Sequence, residues 1–228
     1  MKVIYIAVFF SILMIGCAGS PRIPENADIT MEEYSEHLTR FFENKNDTII
    51  YETISIYKND DNAEALDTVD SILIFFFYGI KTDNADRYNN FRRIVTDSKI
   101  ERLIFIFTII DETDMGAYNE AQDASPDLND VFWTMYFSTG NTKYLDKLLN
   151  VVTNYYNETE NANNFLTGMS AMWSLSSNMQ TFPSIREYVQ NSNILPNNIK
   201  QYIMNNSPGK IWADTSQFFE ERRQNGIW

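Results

Sequence analysis

Several residue types that carry most enzyme chemistry are almost missing from this chain. Its 228 residues hold one cysteine, Cys17, and one histidine, His37. A single cysteine excludes an internal disulfide framework. A single histidine excludes zinc sites built on two or three imidazoles and leaves only an all-carboxylate set. There are 8 glycines and no Gly-rich phosphate loop; Gly168 and Gly209 stand alone. No nucleophile-elbow motif accompanies His37, so nothing links it to a serine. Basic residues number 18 against 31 acidic, a net charge of −13. Such a surface repels nucleic acid, whose affinity rests on neutralising phosphates, and it disfavours adsorption to anionic lipid. Nothing in the sequence calls for a cofactor or a metal.

The leading apolar run is short as well. Val3 to Ile15 spans 13 residues, whereas a helix needs about 20 to cross a bilayer. What is present is a particular order of residues: Lys2, the apolar run, then Met14-Ile15-Gly16-Cys17. Over residues 1–17 this resembles the signal of bacterial lipoproteins. The resemblance implies cleavage after Gly16, diacylglycerol on the Cys17 thiol and an acyl chain such as palmitate on the new amino group. Met14 stands where these signals usually carry Leu, and Leu13 lies one position further back. Two or more acyl chains anchor a protein stably, at about 0.8 kcal/mol per buried CH₂. Attachment to the membrane would then come from the lipid, and no thiol would remain for catalysis or metal binding. Ala18 follows the cysteine, which in a Gram-negative host favours the outer membrane.

Residues 18–29 read as a flexible tether, with Pro21 and Pro24 blocking helix. A single helical domain is expected over 30–228. Thr30 and Glu33 make a capping box, and Met31, Tyr34, Leu38, Phe41 and Phe42 then recur at helical spacing. A second short helix follows Asp47. Residues 63–80 begin amphipathic and become apolar all round from Ile72 to Ile80, as in a helix surrounded by others. Ile100 to Ile110 behaves similarly after a cap at Asp97 or Ser98, although Leu103 to Ile110 is also rich enough in β-branched and aromatic residues for a buried strand. Tyr144, Leu148, Val151, Val152 and Tyr155 form one stripe; Phe165, Met169, Met172, Trp173 and Leu175 form another. Pro183 suits a helix's first turn, Ile199, Tyr202 and Ile203 follow Pro196, and Trp212, Phe218 and Phe219 lie near the end.

A faint repeat of helix, tight turn and helix places turns near residues 81, 111, 140 and 182. The fold expected is therefore all-α, an irregular helical bundle or a short α-solenoid of helix–turn–helix units. Phe137-Ser138-Thr139-Gly140-Asn141, followed by Tyr144-Leu145 and Ala171-Met172-Trp173-Ser174-Leu175, resembles a pattern in uncharacterised bacterial helical proteins across residues 126–190. That resemblance implies a helical fold and transfers no site residues.

Carboxylates are plentiful, densest at Asp111, Glu112, Asp114, Glu120, Asp123, Asp127 and Asp130. Asp111-x-Thr113-x-Met115-Gly116 echoes the start of a calcium loop, but Met115 and Gln122 occupy ligand positions, which excludes an EF-hand. A solvated acidic surface is the expectation. His37 reads as a surface or rim residue, Trp133 and Trp173 as core, and Arg92-Arg93 and Arg222-Arg223 as salt-bridged or solvated helix faces. No residue is singled out as catalytic, cofactor-binding or metal-binding. The functional expectation is a lipid-anchored, non-enzymatic interaction module of the bacterial envelope with a protein partner. The alternatives are an envelope hydrolase using paired carboxylates and a small-ligand binder with an aromatic cavity.

Overall fold

The computed structural model describes residues 29–59, 63–113 and 125–227. Gly16, Cys17 and most of the expected tether lie outside them, as do Asp114, Glu120 and Asp123. The described residues contain eleven helices: α1 (Met31–Asn44), α2 (Ile49–Asn59), α3 (Ala63–Asp83), α4 (Ala85–Ser98), α5 (Glu101–Glu112), α6 (Pro126–Thr139), α7 (Lys143–Tyr155), α8 (Ala162–Thr181), α9 (Pro183–Asn191), α10 (Asn197–Asn205) and α11 (Pro208–Gln224). The fold is all-α, and no strand occurs among the described residues. Helix lengths run from 9 to 21 residues, so successive units are unequal. No helix among them is long and apolar enough to cross a membrane.

Local side-chain chemistry sets the helix starts. Thr30 Oγ1 accepts from the Glu33 amide at 3.2 Å, while the Thr30 amide donates to Glu33 Oε2 at 2.9 Å. That reciprocal pair satisfies two donors that a helix N-terminus otherwise leaves open. Asn84 caps α4 by accepting from Arg87 N, Asn161 caps α8 from Asn163 N and Asn164 N, and Ser207 caps α11 from Lys210 N. Pro183 and Pro208 occupy first-turn positions, where the missing N–H costs nothing. Gly140 follows α6 at φ +71°, a left-handed conformation that glycine adopts without Cβ strain.

The described residues fall into two compact units, one holding α1–α5 and residues 133–142, the other residues 125–132 and 143–227. In the first, aromatic rings form the centre. Phe41 meets Phe76 edge-on at 5.3 Å, and Phe77 contacts Phe76, Phe91 and Phe107 at 5.5, 6.1 and 4.9 Å. Such pairs add about 0.5–1.5 kcal/mol beyond the area they bury. Trp133 is 2% exposed and stacks on Phe137 at 5.6 Å. Gly79 lets α3 approach the end of α6: a Cβ there would lie 2.0 Å from Ser138 Oγ.

The second unit is organised around α8, which packs against α7, α9, α10 and α11. Gly168 faces Tyr155 so closely that a Cβ would stand 2.7 Å from a backbone carbon. A recurrent polar link joins helices in both units. The phenols of Tyr57, Tyr88, Tyr188 and Tyr202 donate to Asp70, Asp111, Asp146 and Asp214 respectively, each on another helix. Basic side chains complete three of these links: Arg102 on Asp70, Arg92 and Lys81 on Asp111, and Lys210 on Asp214.

Most boundaries follow the sequence pattern, with informative exceptions. Leu103 to Ile110 is helical within α5; a helix satisfies its own backbone without partner strands, and none occurs among the described residues. Its expected cap differs: Asp97 and Ser98 belong to α4, and Ile100 starts α5 without a side-chain cap. Ser98 Oγ instead accepts from Ile100 N at 3.3 Å. The turn expected near 81 falls at Asn84, one residue between two helices. Leu103, Ile106, Phe107 and Ile110 form the buried face of α5, and Phe105, on the opposite side of the helix, is 64% exposed.

Candidate interaction surface

Of the acidic positions, Asp111 serves the fold. Asp111 accepts from Tyr88 at 3.0 Å and pairs with Arg92 at 2.6 Å and Lys81 at 3.4 Å. Lys81 also donates to the Ile110 carbonyl, closing the end of α5. Glu112 and Asp127 are exposed. Asp130 is partly buried, and burial, followed by repulsion from Asp127, pushes its pKa up to about 7. Among the described residues no group of three or more His, Cys, Asp or Glu side chains is arranged to hold a metal ion. The basic pairs are engaged: Arg222 donates to the Glu158 carbonyl and lies 4.9 Å over the Phe165 ring, and Arg223 pairs with Glu220 at 2.8 Å. His37 is a half-exposed rim residue, as expected, though its Nδ1 lies 2.9 Å from the buried carboxylate of Glu52.

The two tryptophans expected in the core part company. Trp133 is there; Trp173 is only partly buried. Phe165, Met169, Met172 and Leu175 form the buried stripe of α8, and Trp173 lies one step of about 100° past Met172, at the margin of that stripe. Its ring meets the edge of Trp212 with centroids 6.5 Å apart and planes at 64°. Trp212 is 58% exposed. The sequence reading did not separate Trp212 from the apolar positions around it. Ile211 and Thr215, four residues apart and both buried, turn Trp212 away from the core.

Neighbouring contacts fix this pair in place. Gly168 seats α8 against Tyr155. Ser176 Oγ donates to the Asn206 carbonyl at 3.0 Å, tying α8 to the segment that leads into α11. At the other end of α11, Arg222 binds the loop before α8. Tyr202 donates to Asp214 at 2.6 Å and holds α11 on α10. Several positions one helical turn from the tryptophans are small: Ser170 and Ser177 on α8, Gly209 and Ser216 on α11. The result is a pair of large indoles on a rigid base with small residues beside them. Trp is among the residues most enriched where proteins make energetically dominant contacts.

Comparison with family models, with curated proteins and with solved structures returns no match.

Proposed function

We propose that this chain is a lipid-anchored protein of the bacterial envelope whose helical body is a non-enzymatic interaction module. The anchor rests on Lys2, the apolar run and Met14-Ile15-Gly16-Cys17. In a Gram-negative host, Ala18 after the cysteine directs it to the outer membrane. The observation that carries the interaction reading is the Trp173–Trp212 pair, with Trp212 exposed on a braced helix. The partner is a protein. Asp111, held by Tyr88, Arg92 and Lys81, joins helices, in keeping with a binding role.

Two measurements test the two halves of this reading. Metabolic labelling with a clickable fatty acid should mark the wild type and leave Cys17→Ser unmarked; equal labelling of both refutes the anchor. Crosslinking in intact cells of the native host should give a defined adduct that Trp212→Ala loses and Phe105→Ala keeps. An adduct pattern unchanged by Trp212→Ala refutes the proposed surface.

A further inference from the structure

His37 is the chain's one histidine, and it lies where α1 meets α2. Its Nδ1 is 2.9 Å from Glu52 Oε2. Glu52 is 4% exposed, and no other acidic side chain among the described residues is buried so deeply. Its second oxygen accepts from Thr48 Oγ1 at 3.2 Å. A buried carboxylate is costly unless a cation and hydrogen bonds compensate it. Here the compensating cation is the one side chain whose ordinary titration falls near neutrality. The imidazole is also open to solvent on its other side, so protons reach it without unfolding. A second link joins the same helices, Tyr34 OH to Thr53 Oγ1 at 2.7 Å, and it carries no charge to lose.

We propose that His37 and Glu52 form a pH-dependent latch that sets how firmly α1 is held on α2, tight when the imidazole is protonated and looser when it is neutral. The charges around the ring all favour the protonated state: Glu52 from α2, and Glu36 and Glu33 from α1 itself. Arg40 on α1 is engaged with Glu36 and Glu43. The end of α6 and α3 meet α1 through the rings of Tyr136, Phe137 and Phe76. The hydrogen bond to Glu52 holds His37 above its ordinary pKa, against the opposing effect of desolvation, and the three carboxylates add to the rise. A pKa raised on folding means the latch contributes fully below the ordinary histidine value of about 6.5 and fades as pH climbs through the folded value. In the neutral state the geometry requires the proton on Nδ1, donating to Glu52, with Nε2 bare.

The test uses the full chain. Nitrogen NMR of the single histidine, followed from about pH 5 to 9, should show titration above the ordinary value and a neutral form protonated on Nδ1. Amide exchange, corrected for intrinsic rates, should show α1 losing protection several-fold more than α4 and α5 as pH rises through the His37 transition. His37→Gln, at a half-exposed position, should remove that difference without unfolding the protein. Titration at or below the ordinary value, a neutral form protonated on Nε2, or α1 protection that tracks α4 and α5 throughout would each overturn the latch.

Discussion

A methyl group on Gly168 would stand 2.7 Å from the backbone carbonyl carbon of Tyr155. Backbone at that position cannot rotate aside as a side chain can. Gly168→Ala is therefore expected to push α8 away from α7 and cost about 1–3 kcal/mol, read as a lowered melting temperature. Gly79 gives the contrasting case, because the nearest atom there is the side-chain oxygen of Ser138. Gly79→Ala should be destabilising alone and substantially less so when combined with Ser138→Ala. Strict additivity of the two substitutions in denaturant unfolding would contradict this geometry.

The tryptophans should rank by burial. Trp133→Ala empties a packed site in the core and should cost about 3–5 kcal/mol. Trp212→Ala should stay within about 0.5 kcal/mol of wild type, as surface changes generally do. Trp173→Ala should fall between them. Chemical denaturation of the three variants measures the order directly, and a loss at Trp212 equal to that at Trp133 would place it in the core after all.

Ionisation of the interhelical phenols should limit stability in alkali. Burial is the first cause of the raised pKa values at Tyr34, Tyr57, Tyr88 and Tyr202, and for the last three the hydrogen bond to an aspartate adds to it. A group whose folded pKa exceeds its unfolded value near 10 stabilises the fold below that value and ceases to do so as pH rises beyond it. The melting temperature should therefore fall above about pH 10. Tyr88→Phe, which removes the donor to Asp111, should cost about 1 kcal/mol at neutral pH and weaken the alkaline fall. An alkaline limb identical in Tyr88→Phe and wild type would rule that phenol out as a contributor.

Asp130 is shifted in the direction opposite to most folded-state aspartates. Its folded pKa, near 7, lies above the ordinary aspartate value, so the folded protein binds the extra proton. Stability should fall as pH rises from about 4 to 7 on this account. Asp130→Asn should raise the melting temperature at pH 8 and leave it little changed at pH 4. Stabilisation of equal size at both values would mean the carboxyl is not the source.

Features that depend on near neighbours in the chain were legible; features that depend on distant ones were not. The Thr30–Glu33 box was readable because both partners lie within one turn, and the stripe of α7 because its polar positions are sharply separated from Tyr144, Leu148 and Val152. The strand alternative at Leu103–Ile110 arose because β-branched residues fit either structure, and only the rest of the fold decides between them. Trp173 was misplaced because α8 is flanked by four helices and its buried face is wide. Spacing alone does not show where such a face ends. His37 and Glu52 stand 15 residues apart, Tyr88 and Asp111 23, and Tyr188 and Asp146 42, so nothing local advertises these pairs.

Asn84 alone separates the 21-residue α3 from α4. Its extended backbone and its side-chain bond to Arg87 N make the reversal. Were that residue to turn helical, α3 and α4 would merge into one rod of about 50 Å. Phe77 and Phe91, now 6.1 Å apart in one core, would be drawn to distant points along it. The single-residue break at Asn84 is thus what lets Phe77 and Phe91 meet within one molecule.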